Sequence, residues 1–315
     1  MSDNKSQRSC ENTIIENERL RLEIAKMGGE PVSLSLKQGT GEHATEFLWQ
    51  GDARYWARRA PLLFPIVGRL RGGVYLHGGR EYKLGCHGFA ANLPHRIEKK
   101  DGARAVTYLS SSAETLAVYP FRFELEQELT LDGNTLHVKV KATAADELWC
   151  AFGGHPGFVL PREDGRSVEF DSLYIKINDI GGHKFDGRMP RRQLLSPDRY
   201  IADAREDFPL DADGCFALHH EMFDDDAIIL CNVHSATLAS NITPHRVTVA
   251  SADANNFGFW QTDHSDAPFV CMEPWQGLPA DAGDAKTPDR ISGRRLMHHL
   301  LPGESARFAF DITLE

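Results

Sequence analysis

The stretch FRFELEQELTLDGNTLHVKV, residues 121–140, alternates apolar and polar side chains with a period of two. Phe121, Phe123, Leu125, Leu129 and Leu131 fall on one side, and Arg122, Glu124, Glu126 and Glu128 on the other. Strand geometry sends successive side chains to opposite faces, so this reads as a half-buried strand. Asp132-Gly133-Asn134 is a turn signal, and Leu136, Val138 and Val140 resume the alternation beyond it. The pair predicts a long antiparallel hairpin.

Working outward, the same period recurs. Leu20, Leu22 and Ile24 alternate with Arg or Glu, and Val32, Leu34 and Leu36 alternate with Ser. Further strands are expected at Leu173–Ile177, Val247–Val249 and Phe308–Leu314. Helical periodicity is scarce, with short candidates only at Ser112–Ala117 and Leu218–Phe223. The 27 Gly and 16 Pro are spread along the chain rather than gathered in one linker, so no domain boundary emerges. Each half-buried strand needs a facing sheet, and an all-β fold, a large antiparallel β-sandwich, is the expected architecture. Residues 1–12 read as a flexible N-terminal tail and 13–315 as one domain, long for an average domain but within reach of an all-β one.

A formal net charge of -10 argues against a nucleic-acid partner, whose phosphates call for Lys and Arg. No segment reaches the roughly 18–20 apolar residues of a membrane span. Met1–Asn17 is polar and lacks the apolar stretch of a secretory signal. A cytoplasmic location is therefore expected, with the six widely spaced cysteines present as reduced thiols, mostly buried.

Four short segments combine reactive side chains with glycine or proline. In Pro61-Leu62-Leu63-Phe64-Pro65-Ile66-Val67-Gly68-Arg69 an apolar run ends in Gly68 and two arginines, Arg69 and Arg71, either of which could hold sugar hydroxyls or an anion. In His87-Gly88-Phe89-Ala90 a histidine lies between Cys86 and a glycine, open to close approach. In Gly153-Gly154-His155-Pro156-Gly157-Phe158 three glycines and a proline surround one imidazole, a group that titrates near neutrality. In Glu273-Pro274-Trp275-Gln276-Gly277 an apolar strand ends in a carboxylate next to an indole. Apolar surroundings raise such a carboxylate towards useful basicity, and the indole offers a flat face to a sugar ring. The His219-His220-Glu221 and Asp224-Asp225-Asp226 runs look metal-like, but consecutive residues point in different directions, and no P-loop, EF-hand or zinc spacing is present.

Together these four segments, with lesser matches at Tyr119-Pro120-Phe121 and Phe223–Ala227, resemble the aldose 1-epimerase (galactose mutarotase) family over residues 13–315. The resemblance implies a galactose mutarotase-like supersandwich and interconversion of sugar anomers through the open-chain aldehyde. It implies Glu273 as the base at the C1 hydroxyl and His155 as the acid at the ring oxygen. His87 and Arg69 would hold ring oxygens, with Arg71 as the alternative arginine and Trp275 and Phe158 beside the sugar. No cofactor and no metal is expected, because the reaction moves only protons; a small-molecule sugar is the expected partner, and the protein a monomer or homodimer. The alternatives are a hexose-6-phosphate mutarotase and a non-catalytic sugar-binding or regulatory module on the same scaffold. Ala91 and Asn92 follow the His87 segment where an arginine is common in hexose-6-phosphate mutarotases, which favours a free sugar. The 182–215 region, polar and rich in Asp and Arg, reads as a long loop near the pocket, without an assigned role.

Overall fold

The computed structural model describes residues 12–37, 44–162, 164, 166–284 and 287–315. The expected tail lies outside these residues except for Asn12, whose Nδ2 donates to Glu23 at 3.1 Å.

The hairpin forms as the alternation predicts, with strands Phe123–Asp132 and Thr135–Ala144. Its register pairs Leu131 with Leu136 and closes the turn over Gly133 and Asn134. Phe123, Leu125, Gln127, Leu129 and Leu131 all face inward. Gln127 is polar, and it is satisfied by donating to the Gly29 carbonyl at 3.1 Å. Phe121 is buried just before the strand begins.

Around this hairpin the described residues build a ten-stranded sheet that also contains Leu173–Ile180, Val233–Ser240, Val247–Ala250 and Ser305–Leu314. An eight-stranded antiparallel sheet packs against it, carrying Leu62–Leu63, Phe152–Gly154, Ile228–Cys231, Asn256–Trp260 and Val270–Gln276. The fold is thus the large antiparallel β-structure expected. The main hydrophobic cluster takes residues from Ile15 to Leu314, including Phe152, Phe257, Phe259, Met272, Phe308 and Phe310. Of the two expected helices, Ala113–Val118 forms, capped reciprocally by Ser112 and Thr115. The other is a short 3-10 turn at His220–Phe223. No helix is long and apolar enough to cross a membrane among the described residues.

The 182–215 region is not a bare loop. It contains strands Arg191–Leu195 and Ile201–Asp207, which pair with each other and extend the eight-stranded sheet.

Alternation in the eight-stranded sheet decides where chemistry can occur. In Val270–Gln276, Val270 and Met272 point into the core between the sheets. Cys271, Glu273 and Trp275 therefore emerge on the opposite face. On the neighbouring strand Phe257 and Phe259 point inward, leaving Gly258 opposite Glu273 and Trp260 opposite Cys271. Phe152 packs inward with its ring parallel to that of Phe308, and Gly154, also inward, lies directly beneath Phe310. A Cβ on Gly154 would sit 2.6 Å from Phe310 Cζ. Gly154→Ala is expected to cost about 1–3 kcal/mol by overpacking the sheet interface. Gly85→Ala, where a Cβ would meet nothing within 4 Å, should stay within about 0.5 kcal/mol of the parent. Urea denaturation of both variants measures the difference.

Candidate active site

The outer face of the eight-stranded sheet carries a cavity of about 250 Å³, whose walls include Arg69, His87, His155, Asp226, Glu273 and Trp275. That volume lies just below the usual range for drug-sized ligands and suits a small polar molecule.

Glu273 and His155 meet at its floor. Oε2 of Glu273 is 3.2 Å from Nε2 of His155, with both side chains buried. The same Oε2 accepts a hydrogen bond from Trp275 Nε1 at 3.1 Å. Oε1 of Glu273 and Nδ1 of His155 have no hydrogen-bond partner among the described residues. The indole is fixed by two glycines. A Cβ on Gly153 would lie 2.9 Å from Trp275 Cδ1, and one on Gly258 would lie 2.8 Å from Cζ2. Gly153 and Gly258 pair with Trp275 and Glu273 respectively on the adjoining strands. Two missing side chains thus let the indole lie flat along the sheet and aim its N–H at the carboxylate. His155 is held by stacking on Trp56, with ring centroids 4.9 Å apart, and its backbone N–H donates to the Pro61 carbonyl at 3.2 Å.

His87 sits edge-on to His155, centroids 5.2 Å apart. Its backbone has φ 62°, an uncommon value for a non-glycine residue. The conformation is secured by a clasp with Gly68. The His87 N–H donates to the Gly68 carbonyl at 2.9 Å, and the Gly68 N–H donates to His87 Nδ1 at 3.1 Å. An Nδ1 that accepts leaves the proton on Nε2, so His87 is a neutral ring with one N–H to offer. Gly68 itself must be glycine. At φ 68° its Cβ would lie 2.4 Å from Pro279.

Arg69 reaches the cavity and pairs with Asp226 through Nη1–Oδ2 at 2.5 Å. Asp226 is buried with φ 84°. Arg199 also lines the cavity, pairs with Asp263 and approaches Asp226 at 3.9 Å.

Burial dominates the protonation of this site. It pushes the Glu273 carboxyl well above its ordinary range, helped by Asp226 and opposed by the Trp275 hydrogen bond. It holds His155 well below its ordinary value, with His87 adding to the effect, and pushes His87 down to about 4.

Five of the seven residues singled out in the sequence thus share one cavity: Glu273, His155, His87, Arg69 and Trp275. Two do not. Phe158 is fully buried in the core and pairs with Val270, a core-facing residue, so its ring points away from the cavity. Arg71 turns to Asp289, with Nη2–Oδ1 at 2.7 Å, and lines a separate pocket. Trp275 is on the wall, but its N–H is engaged by Glu273. The sequence reading missed Trp56, Arg199, Asp226 and Trp260, all cavity residues. Three of the five tryptophans, Trp56, Trp260 and Trp275, gather here, a compositional signal that was available. Among the described cysteines, all free, Cys150, Cys231 and Cys271 are buried, while Cys86 is exposed and lines the cavity.

Residues 12–307 match the family model described as aldose 1-epimerase. The chain belongs to the aldose 1-epimerase family. It is 27% identical to the protein LacX (chromosomal) of Lactococcus lactis subsp. lactis, over 95% of this chain and 98% of that protein. A galactose mutarotase related enzyme from Lactobacillus acidophilus superposes with a TM-score of 0.84 at 30% identity, covering 96% of this chain and 97% of that one. A galactose mutarotase-like protein from Lactobacillus casei ATCC 334 also gives 0.84, at 27% identity, with 96% and 100% covered. The fold and the general class, an isomerase family acting by epimerisation, follow from these likenesses.

The raised Glu273 pKa carries a stability consequence for this family member. Folding favours the protonated carboxyl, so its contribution is complete below the ordinary value of 4.5 and is lost as pH rises through the folded value. Glu273→Gln removes the cost of holding a buried acid protonated at a pH where the unfolded chain would ionise it, and should raise stability by about 0.5–2 kcal/mol at pH 8. The gain should shrink as pH falls towards 4. His87 and His95 act in the opposite sense. Both are pushed down to about 4 by burial, so stability is retained above 6.5 and should decline from there to about pH 4. Thermal melts of parent and variant across pH 4–8 measure both trends.

Proposed function

We propose that this protein interconverts the α and β anomers of a free aldohexose by acid–base ring opening. The observation that carries the reading is the buried Glu273–His155 contact. Ring opening removes a proton from the C1 hydroxyl and delivers one to the ring oxygen, two atoms bonded to the same carbon. It therefore needs a base and an acid close together, and 3.2 Å is such a separation.

Protonation explains how the pair works. The uncharged combination, carboxylic acid with neutral imidazole, holds the same number of protons as the charged one, carboxylate with imidazolium. One proton transfer between Glu273 and His155 interconverts them. Burial favours the uncharged pair in the empty cavity. A bound sugar favours the charged pair, because its C1 hydroxyl donates to the carboxylate and its ring oxygen accepts from the imidazolium. Glu273 then takes the hydroxyl proton, the C1–O5 bond breaks as His155 protonates O5, and the C1 aldehyde forms. That step discharges both groups and returns the combination that burial prefers. Rotation about C1–C2 presents the other face of the aldehyde, and the same transfers in reverse close the ring. Protons alone move, so the reaction requires no organic cofactor.

The remaining walls fit recognition of hydroxyls. His87 offers one N–H from Nε2. Asp226 and Arg69 together present an acceptor and a donor, the combination that a vicinal diol matches. A free sugar is preferred over a phosphosugar because both arginines that reach the cavity are already paired with carboxylates, Arg69 with Asp226 and Arg199 with Asp263. A substrate dianion would meet no uncompensated cation there among the described residues.

Polarimetry on freshly dissolved α-D-glucose and α-D-galactose tests the proposal. The expected result is acceleration proportional to protein concentration, reduced by about 10²–10⁴ in both Glu273→Gln and His155→Asn. Binding of the sugar to Glu273→Gln should persist. Full activity in either variant would remove that residue from the mechanism, and sugar binding without acceleration by the parent would indicate a non-catalytic module.

A further inference from the structure

Behind the segment that carries Arg69 lies a second polar pocket of about 340 Å³. Among the described residues its charged lining consists of Arg71, Arg290, Arg294 and Arg295 with Asp281 and Asp289. These four guanidiniums face two carboxylates, an excess of two positive charges among the described residues, in a chain whose formal net charge is -10. Arginine does not shed its proton at any ordinary pH, so this excess persists.

The imbalance is sharpest at the inner end. Asp289 is buried and serves two arginines at once. Its Oδ1 lies 2.7 Å from Arg71 Nη2, and its Oδ2 accepts the Arg71 backbone N–H at 3.2 Å and lies 3.5 Å from Arg294 Nη1. The Arg294 side chain is only 6% exposed. Its Nη2 donates to the carbonyls of Val67 and Leu278 at 3.3 and 2.8 Å. Its Nε and Nη1, and the Nε of Arg71, are buried without a hydrogen-bond partner among the described residues. One carboxylate thus serves a buried guanidinium, Arg294, and a partly buried one, Arg71, an arrangement that is costly unless further negative charge approaches. At the mouth, Arg295 pairs with Asp281, both about half exposed, and Arg290 is exposed with no ion-pair partner among the described residues.

We infer that this pocket binds a small phosphate-bearing anion, gripped at the mouth by Arg290 and Arg295, with Arg71 and Arg294 adding positive potential from behind. A phosphoryl group carries about 1.5 to 2 negative charges at pH 7, which matches the excess. Its oxygens suit the planar donor fork of arginine better than a point charge would. The bound anion rests against the main chain of the catalytic cavity. Pro279 belongs to both walls, Ala280 N–H donates to the Arg69 carbonyl at 2.8 Å, and Arg294 grips Val67 immediately before Gly68. The site stands apart from the proposed sugar chemistry, and its existence does not depend on it.

Calorimetric titration of the full chain with inorganic phosphate, at ionic strength held constant with chloride, tests the inference. Saturable binding at one site is expected. The Arg290→Ser/Arg295→Ser double variant, which removes only exposed charges and leaves the buried Arg71–Asp289–Arg294 group intact, should weaken it by about tenfold or more. Arg69→Ser should bind phosphate as the parent does. Absence of saturable binding overturns the inference, and so does binding that the double variant retains in full. Loss of binding in Arg69→Ser alone would assign the anion to the sugar cavity instead.

Discussion

The site depends on keeping a carboxyl group and an imidazole in contact while both are withdrawn from water. Glu273 is 1% and His155 9% exposed at the side chain, and desolvation disfavours the charged form of each. Such a pair is unfavourable to place and simple to disrupt, so the surrounding structure must over-determine it. The sheet supplies this rigidity. Glu273 sits within a central strand, Trp275 is clamped by Gly153 and Gly258, and His155 is pinned between Trp56, His87 and Trp260. Carboxyl and imidazole then differ from their working state by the position of one proton. In the proposed mechanism, the apolar environment that opposes a fixed charge is the device by which a polar substrate would switch the pair on.

A second consequence concerns the division of charge between the two faces of the Val67–Arg71 segment. On the cavity side, Arg69 is balanced by Asp226. On the other side, Arg71 and Arg294 share Asp289 and remain under-neutralised. Neighbouring arginines, two residues apart, thereby sit in different electrostatic settings: Arg69 is paired beside the cavity, and Arg71 shares its carboxylate with Arg294. Gly68, forced into a left-handed conformation against Pro279, is the point at which the chain turns one side to each.

Much of this was legible from local sequence. The 121–140 hairpin announced itself because strand alternation and a turn signal are both short-range properties. His155 and Glu273 stood out because unusual glycine and proline surroundings mark positions where backbone and side chain serve something other than packing. Of the residues that were missed, Trp260 ends the strand Asn256–Trp260, and Trp56, Arg199 and Asp226 arrive from loops. Arg199 comes from the connection between two strands in a region read as a loop, and Asp226 from an acidic run whose positive φ no sequence pattern reveals. Phe158 and Arg71 were drawn in by proximity to good motif residues. Strand pairing sends Phe158 into the core with Val270, and ion pairing turns Arg71 to Asp289, 218 residues away. Neither partner can be identified from the sequence alone.

The central claim is that substrate, rather than the protein alone, charges the Glu273–His155 pair. Isotope-edited infrared difference spectroscopy at neutral pH observes this directly, with Glu273→Gln identifying the band that belongs to Glu273. The account predicts a protonated carboxyl band in the free protein that loses intensity to carboxylate when sugar saturates the site. A Glu273 already ionised in the free protein and unchanged by sugar would contradict it.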